Sequence, residues 1–182
     1  MSAAETPPAS GIGAPPSLGA EASPPASGTD APPPADRPNA APPVTREYRN
    51  GAIAVQWNAE RCIHSARCIR AQPAVFDPKR RPWVLLDGAD ADAVADAVMR
   101  CPTGALHFTR LDGGPAEPMP AETTVEPVRD GPLYVRGPVA ITTEGGTVVR
   151  RDTRVALCRC GHSMRQPFCD NTHRAIGFRD GQ

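Results

Sequence analysis

The sequence predicts an α+β protein built from two small cysteine-bearing units behind a disordered N-terminal tail. Three observations lead there. The six cysteines fall into two separate triplets, at 62, 68 and 101 and at 158, 160 and 169. Helix and strand periodicities mix around the first triplet, whereas the second follows short β-prone runs broken by glycines. Residues 1–45 are almost entirely Pro, Ala, Gly and Ser with scattered acids, and lack the apolar side chains whose burial offsets the ordering of a backbone.

The first unit is expected over 46–112. "AIAVQW" (52–57) alternates as a strand does, and "SARCIRAQ" (65–72) has room for two helical turns before Pro73 ends them. "RPWVLLD" (81–87) reads as a second strand entered through an edge proline. In "DADAVADAVMRC" (90–101), Val94, Ala97, Val98 and Cys101 recur at i, i+3, i+4 and i+7, the apolar stripe of a helix, and Asp90 stands at the N-cap. Pro102 stops that helix and "ALHFTR" (105–110) closes the unit as a strand. Residues 113–122 are turn-rich and read as a linker. From 123 to 182, "TTVEPV", "GPLYVRG", "VAITTEGGTVVRR" and "TRVALCRCG" suit a small antiparallel sheet.

Composition narrows the function classes. With four Phe, two Tyr and two Trp in 182 residues, two units of this size are short of core material and call for staples. The tail has no basic n-region or continuous apolar stretch, so no export signal or membrane span is expected, and the location expected is cytoplasmic. In a reducing compartment six cysteines point to metal rather than to disulfides. Charge balances at 20 basic and 20 acidic residues, with no basic block interleaved with aromatics, which argues against nucleic acid. No dinucleotide fingerprint, Ser-His-Asp set or carboxylate pair stands out, so an enzyme is not expected.

The stretch "CRCGHSMRQPFCDNTH" (158–173) holds three cysteines and two histidines. Cys158 and Cys160, two apart in an extended run, point the same way and form one pair. Cys169 and His173, four apart, form a second pair if Asp170 caps a short helix. Two pairs gripping two ions is the arrangement of a [2Fe–2S] cluster; a tetrahedral zinc ion satisfies the same spacing. The stretch resembles the CDGSH iron–sulfur (mitoNEET-like) family, whose pattern is C-x-C-x2-S/T-x3-P-x-C-D-G-x-H. Cys158, Cys160, Ser163, Pro167, Cys169, Asp170 and His173 all match, while Asn171 replaces the glycine. The resemblance implies Cys158, Cys160, Cys169 and His173 as ligands of a [2Fe–2S] cluster, a β-rich fold and a homodimer. Asn tolerates the left-handed conformation that glycine supplies. His162 reads as a solvated neighbour.

In the first unit "CIHSARC" (62–68) and "CP" (101–102) give C-x5-C and a distant C-P. Together with "W-x4-CIHSARC-x4-P-x-VFD…RPW…CPTGAL", this resembles the divergent single-cluster ferredoxin domain of small bacterial proteins. The resemblance implies Cys62, Cys68 and Cys101 as ligands. Three thiolates suit a [3Fe–4S] cluster; a [4Fe–4S] cluster needs a fourth ligand from Ser65, His64 or solvent. The bland alternative is three buried cysteines that bind nothing, since Cys101 falls on the apolar face of its helix. Arg67 and Arg70 can dock an acidic partner or be ordinary solvated helix charges.

These readings converge on an iron–sulfur electron carrier, with a ferredoxin-like unit followed by a CDGSH-type unit. The alternatives are a redox-responsive or cluster-transfer protein and a zinc-stapled interaction module. The expected partner is a redox protein or an apo-acceptor. Because the C-terminal ligands are all local, the two units are expected to be separable, with residues 120–182 keeping the histidine-ligated centre.

Overall fold

A computed structural model describes residues 45–181. The tail expected over 1–45 therefore lies outside the described residues except for Thr45, which opens the first strand. The first sheet is antiparallel, in the order β1 (Thr45–Arg49), β2 (Ile53–Asn58), β3 (Leu106–Arg110). The β1–β2 hairpin closes on Asn50, whose side-chain oxygen accepts from the backbone N–H groups of Ala52 and Ile53, each at 3.0 Å. Between β2 and β3 lie α1 (Arg67–Ala71) and α2 (Ala91–Met99). Asp90 caps α2 as its position predicts, accepting from the Ala93 N–H at 2.7 Å. The stripe Val94, Ala97 and Val98 is fully buried against Ile53, Val55, Phe76 and Leu106, at about 1.5–3 kcal/mol for each large side chain.

Two expectations change here. Helix α1 is shorter than the two turns read from 65–72, because Ala66 takes a left-handed conformation (φ 57°) and the helix starts only after it. The stretch 81–87 is not a strand. Its pairing is one isolated bridge, Phe76 to Val84, with Leu85 donating to the Val75 carbonyl at 2.9 Å, and the chain then turns through Leu86–Gly88 as a 3-10 turn. Pro82 has no N–H to extend a ladder. The segment serves the core through Val84 and Leu86 and brings Trp83 against Trp57 and Phe76.

The second sheet is β4 (Thr124–Pro127), β5 (Leu133–Thr142) and β6 (Val148–Leu157), all antiparallel. One short helix follows, α3 (Thr172–Ala175). This half has little apolar core: Tyr134, Val135, Val155, Ala156 and Cys169 are its buried apolar residues. Ile63, from the loop after β2, packs with Tyr134, Ala156 and Cys169.

The two sheets are not independent bodies. Arg154 on β6, 1% exposed, sends its guanidinium into the first unit. There it donates to the carbonyls of Val98 (2.5 Å), Cys101 (3.4 Å) and Leu106 (2.7 Å) and pairs with Glu117 at 2.6 Å. Asp152 accepts from Arg61 at 3.1 Å and lies 3.4 Å from His107 Nε2; the other ring nitrogen meets Glu117 at 2.9 Å. Gly104 closes the seam. At its φ of +62° an added Cβ would stand 2.6 Å from the Asp152 carboxylate. This seam joins the two units that the sequence divides, with the Arg154 side chain and the Asp152 carboxylate buried and Arg61 and His107 part-exposed. Among the described residues no helix is long and apolar enough to cross a membrane.

Candidate metal centres

The C-terminal ligand stretch is held by backbone bonds that follow from where β6 stops. Just past its end, Cys158 donates its N–H to the Pro167 carbonyl at 2.8 Å, and Cys169 donates to the Ala156 carbonyl at 2.9 Å. Residues 158 and 169 thus lie on neighbouring chain segments although eleven positions separate them. Gly161 (φ +77°) turns the chain back, and Ser163 locks the return by donating from its hydroxyl to the Phe168 carbonyl.

The four side chains come together as two pairs. Cys158 and Cys160 place their sulfurs 3.7 Å apart, and Cys169 Sγ lies 3.4 Å from His173 Nδ1. Asp170 does not act quite as its position suggests. It stands outside α3 and ties the loop at both ends, accepting from Thr172 N–H at 3.0 Å and Met164 N–H at 2.9 Å. Asn171 is the N-cap residue and adopts φ 78°, ψ 4°, the left-handed conformation for which a glycine would serve. Its N–H points to Cys169 Sγ at 3.3 Å, and Gln166 Nε2 points to Cys158 Sγ at 3.4 Å.

The electrostatics separate the two pairs. Burial pushes the Cys169 thiol up, and burial with the neighbouring Arg174 pushes His173 down, so both favour their neutral forms. Cys158 goes the other way: the slight burial that would raise it is outweighed by the N–H groups of Ser163 and Gly161 and by Cys160. A cysteine pair beside a cysteine–histidine pair is a donor set that iron or zinc takes once the thiols have lost their protons. His162 turns its Nδ1 to the Cys160 carbonyl and remains exposed.

In the first unit, Cys62, Cys68 and Cys101 line one cavity of about 950 Å³, with Ser65, His64, Trp57 and Trp83 also in its wall. The three sulfurs share it without converging: among the described residues no three His, Cys, Asp or Glu side chains meet to hold a single ion. Cys62 and Cys68 flank a loop in which two non-glycine residues, His64 (φ 52°) and Ala66 (φ 57°), are left-handed. Such backbone is costly and marks a loop shaped for something other than its own packing. Cys101 is buried beyond the end of α2, within 3.6 Å of the Thr103 hydroxyl.

Burial and the nearby Cys101 push the Cys68 thiol up to about 11. Burial raises Cys62 as well, opposed by the His64 backbone N–H and the Trp57 indole N–H. The Trp57 N–H is near enough to favour the Cys62 thiolate yet lacks full hydrogen-bond geometry, and the buried N–H of Trp83 has no partner at all. Both indoles belong to residues that line the three-cysteine cavity, and their nitrogens are themselves buried. The sequence missed these indoles as donors, because an N–H without a partner is visible only once its surroundings are.

Comparison with known proteins covers both centres. Residues 48–111 match a family model described as a divergent 4Fe-4S mono-cluster, and residues 130–174 match one described as an iron-binding zinc finger of CDGSH type. The chain is also 36% identical over 63 residues to the uncharacterized protein YjdI of Escherichia coli K12, and equally to that of strain O157:H7. Each alignment takes in 35% of this chain and 83% of the relative.

Proposed function

The chain belongs to the divergent 4Fe-4S mono-cluster family, with a CDGSH-type iron-binding domain fused behind it, and we propose that it is a non-enzymatic electron carrier with two iron–sulfur centres. In this reading Cys158, Cys160, Cys169 and His173 hold a [2Fe–2S] cluster. Cys62, Cys68 and Cys101 hold a [3Fe–4S] or [4Fe–4S] cluster. Bound there, such centres supply one-electron chemistry at potentials set by ligand identity, hydrogen bonds to sulfur and exposure.

One observation carries the reading: the two ligand sets adjoin, each with its own apolar cluster, through Ile63 and Arg154. Ile63, the residue after Cys62, packs in the same buried cluster as Cys169, and Arg154 donates to the Cys101 carbonyl four residues before β6 delivers Cys158. Two metal modules that merely stapled separate folds would have no need of this. Tyr134 and Ala156 exclude water between the sets, and the Trp57–Trp83 pair, with centroids 5.1 Å apart, packs the wall of the first cavity. His173 Nδ1 lies beside Cys169 and stays neutral, so it has a lone pair to offer a metal.

The test is anaerobic purification of the full chain, iron and sulfide counting, and EPR of the oxidised and dithionite-reduced forms. Two EPR species with reversible midpoint potentials are expected. Zinc in place of iron, or redox silence, refutes the proposal. Release of iron and sulfide to an apo-acceptor in preference to reversible reduction would favour the cluster-transfer reading, for which the part-exposed Cys158 and Cys160 give some footing.

A further inference from the structure

Four arginines surround one open groove of about 600 Å³: Arg67 and Arg70 from α1, Arg100 from the end of α2 and Arg136 from β5, with Asp96 as the lone acid and Met99 in the wall. Other arginines of the chain are paired, although among the described residues Arg46, Arg80, Arg81, Arg129, Arg151, Arg165 and Arg174 also stand without an ion pair, outside this groove. Arg61, Arg110, Arg150, Arg154, Arg159 and Arg179 each meet a carboxylate. None of the four groove arginines has an ion pair among the described residues. Arg67 lies over the Tyr134 ring at 5.0 Å and Arg70 donates to the Ser65 carbonyl at 2.9 Å, so neither is neutralised.

In a chain of zero formal net charge, this concentration is a local field. Like charges brought together without counterions repel, and an anionic surface laid against them relieves the repulsion. Position selects the kind of anion. Arg67 precedes Cys68 and Arg100 precedes Cys101, so whatever fills the groove presses on the backbone flanking two of the three proposed ligands of the first centre.

We propose that this groove docks the acidic face of a redox partner protein. The inference rests on the electron-carrier reading and names the partner's chemistry. A nucleic acid would call for a longer basic stripe with aromatic platforms, whereas the residues here form one compact site with Met99 and Ala71 as apolar contacts.

The test is calorimetric titration of the anaerobically purified full chain with a small, strongly acidic plant-type [2Fe–2S] ferredoxin as probe. Binding is expected at ionic strength near ~0.02 M and should weaken steeply by ~0.3 M, where screening cuts off charges more than a few ångströms apart. Arg70→Glu combined with Arg100→Glu should weaken binding by about tenfold or more, while the Lys pair at the same positions should retain it. Arg100→Glu with Arg136→Glu, which leaves the Ser65 contact intact, should repeat the loss. Unchanged affinity in both Glu variants overturns the proposal. So does tighter, arginine-dependent binding of inorganic pyrophosphate or a short DNA duplex. A wild-type protein that binds the probe through these arginines but holds no iron refutes the electron-carrier reading alone. A loaded protein that ignores the probe refutes the docking alone.

Discussion

At the scale of single residues, Asn171 shows how a departure from a motif is tolerated. The position needs a left-handed backbone, which asparagine enters more readily than most residues. Asn171→Gly is therefore expected to be nearly neutral, and Asn171→Val to cost about 1–2 kcal/mol in denaturant unfolding. Cys169→Ala should abolish the spectrum of the C-terminal centre, and unchanged metal content would overturn its ligand assignment. Trp57→Phe removes an N–H that favours charge on Cys62 sulfur; the midpoint potential of the first centre should fall, as read by an EPR-monitored redox titration. The four C-terminal candidates were legible because their spacing is local, and a sixteen-residue stretch can be read without knowing the fold. Cys62 and Cys68 were readable in the same way. The unmet indoles were not, since their meaning lies in the cavity wall they share with residues from 46 to 106.

Secondary-structure elements divide along a similar line. Helix α2 was readable because stripe, cap and terminating proline all agree. Asp90→Ala should cost about 1 kcal/mol of stability, measured from the denaturant midpoint at constant slope, because the Ala93 N–H loses its acceptor. The stretch 81–87 misled because "WVLL" has the composition of a strand, whereas its N–H inventory, broken at Pro82, supports only a single bridge. Strand β6 was found as a β-prone run, but its most consequential residue was not. Arg154 reads in sequence as an ordinary polar position; only the fold reveals that its acceptors are the carbonyls of residues 98, 101 and 106.

Across the whole molecule, that seam governs stability. Arg154→Met removes one of Glu117's two charged partners and leaves three carbonyls short of a donor, and should destabilise by about 3 kcal/mol in chemical unfolding. The fragment 120–182 should accordingly be poorly folded without its neighbour. The seam also has a pH signature. Burial alone would lower His107, but its hydrogen bonds to Asp152 and Glu117 outweigh that and lift it to about 9. A raised histidine contributes stability that is complete below its unfolded value near ~6.5 and is lost as pH rises through the folded one. Asp152 and Glu117 are held low by His107 and the arginines despite their burial, so their contribution is complete above ~4.5 and fades only in acid. Stability should therefore fall between pH ~6.5 and about 9, and His107→Asn should flatten that limb, as followed by thermal midpoints across the range. A level profile in the wild-type protein would show that His107 does not carry the seam.

A strand that runs into two candidate ligand cysteines and, four residues before the first, supplies the arginine meeting a neighbour's helix end is no longer an exchangeable part. Grafting another CDGSH-type domain in its place would keep the spacing of the candidate ligands yet take a buried donor from Glu117 and from the carbonyls behind Cys101 unless it brought its own arginine at that spacing. Descent of such fusions should thus be traceable by the pair Arg154 and Glu117 changing together, even where the cysteines themselves never vary.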